Sequence, residues 1–151
     1  DNSFLYGCDV SACSTGVIMH NTRNGSINQS NAHHNEYAGV ALYNAQRTTI
    51  EQSRACGNGF ASPSNGYGFV SYDGNCNNFL SCVAENTLTN TTDYWAVAAG
   101  FALVGNEQCS IIKDCTASSA EAPWTTNVVA TATLVVSGLP VGIALENTEV
   151  G

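Results

Sequence analysis

Gly39-Val40-Ala41-Leu42-Tyr43-Asn44 is one copy of a phrase that recurs along the chain: glycine, an apolar residue, any residue, a second apolar residue, then usually Asn or Asp two positions on. Further copies are Gly16-Val17-Ile18-Met19-His20-Asn21, Gly68-Phe69-Val70-Ser71-Tyr72-Asp73, Gly100-Phe101-Ala102-Leu103-Val104-Gly105 and Gly142-Ile143-Ala144-Leu145-Glu146-Asn147. Self-similarity at intervals above ~20 residues marks a repeat architecture, because one such unit cannot bury its apolar face alone. A second phrase lies between the copies: an apolar residue, Ser or Cys three positions later, and a small apolar residue two further on. It reads Leu5/Cys8/Val10, Ile27/Ser30/Ala32, Ile50/Ser53/Ala55, Phe79/Cys82/Ala84 and Ile112/Cys115/Ala117.

Each unit therefore holds three short extended pieces separated by Asn, Gly and Ser, which tolerate tight and left-handed turns. No stretch carries the i, i+3, i+4, i+7 stripe of a helix. Stacking the units at the ~4.8 Å strand spacing places like residues on like. The expected inward columns are Val17, Val40, Phe69, Phe101 and Ile143; Met19, Leu42, Ser71, Leu103 and Leu145; Leu5, Ile27, Ile50, Phe79 and Ile112; and Val10, Ala32, Ala55, Ala84 and Ala117. Asn21, Asn44, Asp73 and Asn147 are expected to form a turn ladder. The uncharged, β-branched segment 127–136 is expected to be extended, pairing along the stack or as a hairpin over it.

On these phrases nearly the whole chain resembles the right-handed parallel β-helices of the pectate-lyase-like superfold, with repeats like the PbH1-type repeats of NosD-like proteins. The reading is an all-β, right-handed parallel β-helix (β-solenoid) of about five coils, with three short strands per coil and long loops at one corner. Residues 1–151 form a single domain on this reading. Neither end shows the polar cap a solenoid needs over its open edge, so the expectation is a segment of a longer chain.

Four Lys and Arg against 12 Asp and Glu give a formal charge of -8, a balance that argues against nucleic acid and anionic membrane surfaces. No apolar run approaches the ~18 residues of a spanning helix. The seven cysteines show no zinc-type spacing. They read as small fillers of a stacked core, although Cys76 and Cys109 share a position on successive coils, where a bridge fits by distance but needs uncommon geometry. His20, His33 and His34 do not converge as three or four ligands, so no metal and no cofactor is expected.

Segments joining the Ala position to the next Gly phrase lengthen along the chain, from 33–38 to 56–67, 85–99 and 118–141, all leaving one corner. Long loops on a rigid scaffold are where binding resides, and the resemblance implies a sugar-binding cleft at this corner and sheet. Strand alternation puts Ile18, Ala41, Val70, Ala102 and Ala144 outward, beside His20, Tyr43, Tyr72, Val104 and Glu146. So apolar a face must be covered, by a ligand or by the chain's own loops.

Substrate-binding candidates are His20, Tyr43, Tyr72, Tyr94, Trp95 and Trp124, since aromatic rings suit the C–H faces of sugars. A glycosidase would need two carboxylates ~5–9 Å apart. Asp73 and Glu146 are the catalytic candidates, with Glu36, Asp93 and Glu107 nearby. Asp73 also suits the turn ladder and Glu146 a solvated edge. The resemblance implies an Arg or Lys base for lyases of this fold, and no Arg or Lys falls on the Gly-phrase sheet.

The expected function is a structural and recognition module of a secreted or cell-surface protein, presenting this sheet and its loops to a polysaccharide or a protein surface, with lateral packing into a homotrimer as one arrangement. The alternative is a polysaccharide-active hydrolase or epimerase with its carboxylates on the Gly-phrase sheet.

Overall fold

Short runs of two or three β-favouring residues between turn formers can bury only one side chain each, so each run must find its partner on the next coil. In the computed structural model they do so throughout. The structure describes residues 2–61, 65–89, 98–118, 132–138, 144–146 and 149–150, the last three stretches as backbone. These form three sheets of six, six and five strands, with all pairings parallel and no helix among the described residues. The chain is a right-handed parallel β-helix.

The Ile-ladder sheet stacks Phe4–Tyr6, Ser26–Asn28, Thr49–Glu51, Asn78–Leu80, Ile111–Lys113 and Ala144–Glu146. The Ala-ladder sheet stacks Asp9–Ser11, Asn31–His33, Arg54–Cys56, Val83–Glu85, Thr116–Ser118 and Glu149–Val150. The Gly-phrase sheet stacks Thr15–His20, Ala38–Tyr43, Gly66–Tyr72, Ala98–Gly105 and Ala132–Gly138. Five full coils are followed by the first two strands of a sixth.

The inward columns follow the expected register through the fourth coil. Val17, Val40, Phe69 and Phe101 are in line, as are Leu5, Ile27, Ile50, Phe79 and Ile112. Phe69 and Phe101 stack with centroids 5.1 Å apart, and Phe79 meets both edge-on.

The fifth copy is a correction. Leu134 and Val136, not Ile143 and Leu145, continue the Gly-phrase columns beside Phe101 and Leu103. Leu145 pairs with Ile112 and Glu146 with Lys113, in the Ile-ladder sheet. The β-branched run before Gly142 supplies a strand at nearly the interval separating Phe69 from Phe101, so the Gly142 phrase is carried into the next sheet. Segment 132–138 is thus extended and paired along the stack.

Interior packing explains the glycine. A Cβ at Gly39 would lie 2.8 Å from both Asn58 Nδ2 and Gly68 O, and 3.0 Å from Ala55 Cβ. Asn35 and Asn58, both fully buried, form a short amide ladder at this corner. Asn58 Oδ1 accepts from Asn35 N (3.1 Å) and Nδ2 (2.9 Å), and Asn58 Nδ2 donates to Ala32 O at 2.8 Å.

The strand bends at the glycine. Register pairs skip it, and Ala38, Tyr67 and Ala99 before it pack with the outward Ala41, Val70 and Ala102. Simple alternation from Phe69 would turn Tyr67 inward. The corners use left-handed residues in columns: Asn21, Asn44, Asp73 and Gly105 close one, with φ between 49 and 83°. Asn147, expected in that column, lies outside the described residues.

Candidate functional site

Strand alternation and the bend together place four tyrosines on the outward face of the Gly-phrase sheet. Tyr43 and Tyr72 are register partners on successive coils, and their rings stack in parallel with centroids 5.1 Å apart. Tyr67 meets Tyr72 edge-on at 6.3 Å and Tyr37 edge-on at 5.5 Å. The hydroxyls of Tyr37 and Tyr72 are hydrogen-bonded to each other. Ala38, Ala41, Val70, Ala99 and Ala102 lie beneath the aromatic layer, forming a second apolar cluster outside the solenoid wall.

Burial in this layer disfavours phenolate. It pushes the Tyr37 phenol up to about 12 and also raises Tyr67 and, further, Tyr72. The unfolded chain ionises near the ordinary value of 10, before the folded chain does. Stability from this cluster is therefore complete below about pH 10 and falls as the pH rises towards 12. Urea midpoints measured from pH 8 to 11.5 should fall above pH 10, and Tyr37→Phe should flatten the fall.

Exposure along the face is graded. Ile18 in the first coil is 57% exposed, whereas its column partners Ala41, Val70 and Ala102 are exposed by 0, 0 and 1%. His20 is exposed, accepts a hydrogen bond from Asn21 Nδ2 at Nδ1 (2.9 Å) or donates to that amide if flipped, and tilts by 41° towards Tyr43. The first coil thus leaves an apolar patch open beside an imidazole and a phenol.

The carboxylates scatter. Asp73 occupies a left-handed turn at φ 52°, where its Oδ1 accepts from Asn106 N (2.8 Å) and Nδ2 (3.2 Å). Glu146 is not on the Gly-phrase sheet: its backbone pairs with Lys113 in the Ile-ladder sheet, at least two coil steps, about 10 Å along the axis, from Asp73.

Glu107 is fully buried inside the solenoid, where it accepts from Gly74 N–H and Ser110 Oγ, each at 2.8 Å. A one-residue insertion around Gly105 and Asn106 aligns it with Gly74, whose missing side chain makes room. Glu36 is exposed just before Tyr37. Tyr94, Trp95, Trp124 and Asp93 lie outside the described residues.

The four basic side chains are elsewhere. Arg23 and Arg47 occupy turn columns, Arg54 pairs with Glu85 on the Ala-ladder sheet at 2.5 Å, and Lys113 is in the Ile-ladder sheet. His33 bonds Asp9 through Nε2 at 3.0 Å and His34 through Nδ1 at 2.8 Å, on the Ala-ladder side. Among the described residues no three His, Cys, Asp or Glu stand together as metal ligands.

Sequence reasoning missed Tyr37 and Tyr67 as partners of Tyr72, because a period of two does not carry through a bend. The buried amides did leave a signal: Asn35 and Asn58 each follow an Ala-ladder residue by three positions.

The sequence matches no family model and no curated protein. Among solved structures the chain is similar to the A-module of the mannuronan C-5 epimerase AlgE4 of Azotobacter vinelandii, at 12% identity and a TM-score of 0.47, covering 99% of this chain and 50% of that one. It is also similar to the pectate lyase Pel9A, at 10% identity and a TM-score of 0.23, covering 97% and 55%. The chain spans about half the length of each.

Proposed function

We propose that this β-helix is a structural and recognition module of a secreted or surface protein, and that the patch of Ile18, His20 and Tyr43 on its Gly-phrase sheet receives a glycan without carboxylates. The graded exposure carries this reading. Ile18 offers a flat apolar landing of about one sugar ring, flanked by His20 and Tyr43, while the same face is closed from the second coil onward. Aromatic and aliphatic platforms of this kind suit the C–H face of a pyranose, and the polar edges of His20 and Tyr43 suit its hydroxyls.

Charge narrows the ligand. None of the four cations sits on a strand of this sheet, and the net charge is -8, so a polyuronate would approach an acidic protein with no counter-charge on the sheet itself. A catalytic role has less support, because Asp73 sits in a turn, Glu107 is buried inside the solenoid and the backbone of Glu146 belongs to the Ile-ladder sheet.

Binding should be measured by calorimetry against neutral oligosaccharides, an amino-sugar polymer and a polyuronate. Neutral or cationic chains are expected to bind, and Tyr43→Ala to weaken binding about tenfold, the loss of roughly 1.4 kcal/mol of contact. Preferential binding of the polyuronate, or unchanged affinity in both Tyr43→Ala and Ile18→Glu, would remove this face from the account.

A further inference from the structure

Two pairs of cysteines stack on successive coils, Cys76 over Cys109 and Cys82 over Cys115, and they differ in what surrounds them. Cys82 and Cys115 are buried. Their thiols are held on main-chain carbonyls inside the core, Cys82 Sγ on Ile50 O at 3.4 Å and Cys115 Sγ on Phe79 O at 3.3 Å. Cys76 and Cys109 instead occupy one outer turn column, Asn24, Arg47, Cys76 and Cys109, each with a left-handed backbone of φ 51 to 54°.

Register in this column is tight. Asn75 pairs with Gln108 in parallel, and Cys76 N–H donates to Gln108 O at 2.7 Å. Neighbouring coils repeat at about 4.8 Å, inside the roughly 4.4–6.8 Å Cα separation that a disulfide spans. Identical turn geometry keeps the two Cβ atoms side by side at the coil spacing of ~4.8 Å, so closure has to draw them together by about 1 Å to reach the ~3.8 Å of a disulfide. Cys109 is exposed and Cys76 partly so.

We propose that Cys76 and Cys109 form a thiol–disulfide exchange site, at which a small-molecule disulfide closes a covalent staple between the third and fourth coils. Cys109, the more exposed sulfur, attacks one sulfur of the small disulfide as thiolate. A mixed disulfide forms and one small thiolate leaves. Burial and the neighbouring Cys109 thiol hold the Cys76 thiol protonated at first, and Arg47 beside it opposes this. Once Cys109 is capped, Cys76 ionises and attacks Cys109 Sγ, expelling the second small thiolate. Two protein thiols are oxidised, one small disulfide is reduced to two thiols, and the two protons released by the protein end on those thiols.

The staple encloses the segment from Cys76 to Cys109, which contains Phe79, Phe101 and the loop between the Ala-ladder and Gly-phrase strands. It therefore constrains the coil that carries two of the three stacked core phenylalanines. This inference stands apart from the glycan reading, since Cys76 and Cys109 lie two and three coil steps along the axis from the first-coil patch at Ile18 and His20.

The test treats the intact folded protein with oxidised glutathione at pH 8, followed by alkylation and peptide mapping without reduction. The expected product is a Cys76–Cys109 linked peptide in the monomer, two hydrogens lighter. Cys82 and Cys115 should alkylate only after unfolding. The melting temperature should rise by about 5–10 °C and return with dithiothreitol. Cys109→Ser should abolish the link and leave Cys76 slow to react. A stable glutathione adduct at Cys109 without closure, a link through other cysteines, or closure without a rise in melting temperature would overturn the proposal.

Discussion

Replacing Phe101 by Ala is expected to cost about 3–5 kcal/mol, the range for deleting a fully buried aromatic ring. Phe101 is 1% exposed, stacks on Phe69 and receives Phe79 against its edge. These three rings fill the middle of the solenoid where neighbouring coils offer only Val, Leu and Ile. The loss has two parts. One is transfer of the ring itself, and the other is the cavity between coils whose backbones are tied by parallel ladders and cannot collapse.

A solenoid adds a second consequence. Each coil touches only its neighbours, so stability is a chain of interface terms. Weakening the contact between the third and fourth coils uncouples the two ends, and the unfolding slope in urea should fall together with the midpoint. Phe101→Leu should restore most of the stability and the slope. Val104→Ala, on the outward face of the same strand, should cost less than about 1 kcal/mol. A full-slope transition shifted by under 1 kcal/mol in Phe101→Ala would show that the Phe triplet is not the core's centre.

The inward columns were legible because one rule, alternation at a period of two, governs every strand that is straight. Val40, Phe69 and Phe101 obey it, and so do Ile27, Ile50 and Phe79. The rule fails where the backbone departs from it. At Gly68 the strand bends, so Tyr67 joins Tyr72 outside the wall, an arrangement that no count of residues from Phe69 predicts. At Gly105 and Asn106 one residue is inserted, and Glu107, read as a candidate near the sheet, turns into the interior against Gly74.

The misplaced fifth phrase has a different cause. Strands of the Gly-phrase and Ile-ladder sheets both bury an apolar residue, so Ala144-Leu145-Glu146 satisfies either. The deciding competitor is Ala132–Gly138, which matches the column without the glycine that marks the other four copies. The candidate site was legible only in part for the same reason. Tyr43 and Tyr72 follow from alternation, whereas their engagement with Tyr37 and Tyr67 depends on the bend and on a loop whose path is set by contacts across coils.

Gly68→Val is expected to prevent the third and fourth coils from stacking, with a loss of at least 3 kcal/mol or failure to fold. A Cβ at this position would lie 2.6 Å from Gly100 O and 2.9 Å from Ala84 Cβ. Neither neighbour is a flexible side-chain end that can swing aside. Gly100 O belongs to the next coil's backbone, and Ala84 belongs to the opposite wall. Both would have to move, at the cost of ladder hydrogen bonds or wall packing, and overpacking of one methyl group alone is worth about 1–3 kcal/mol.

Gly7 provides the control that separates crowding from backbone freedom. It has φ 63° and no atom within 4 Å of an added Cβ, so Gly7→Asn meets only the small left-handed penalty and should cost under about 1 kcal/mol. Gly68 has no such positive φ; its requirement is space alone. Equal losses at Gly7 and Gly68 would show that chain flexibility, not the approach of the two walls, is what the repeated glycine supplies. A large loss at Gly68 with a small one at Gly7 ties the phrase to its cause. The glycine recurs because the walls meet there, at the same point of successive coils, where the bend carries the tyrosine face outward.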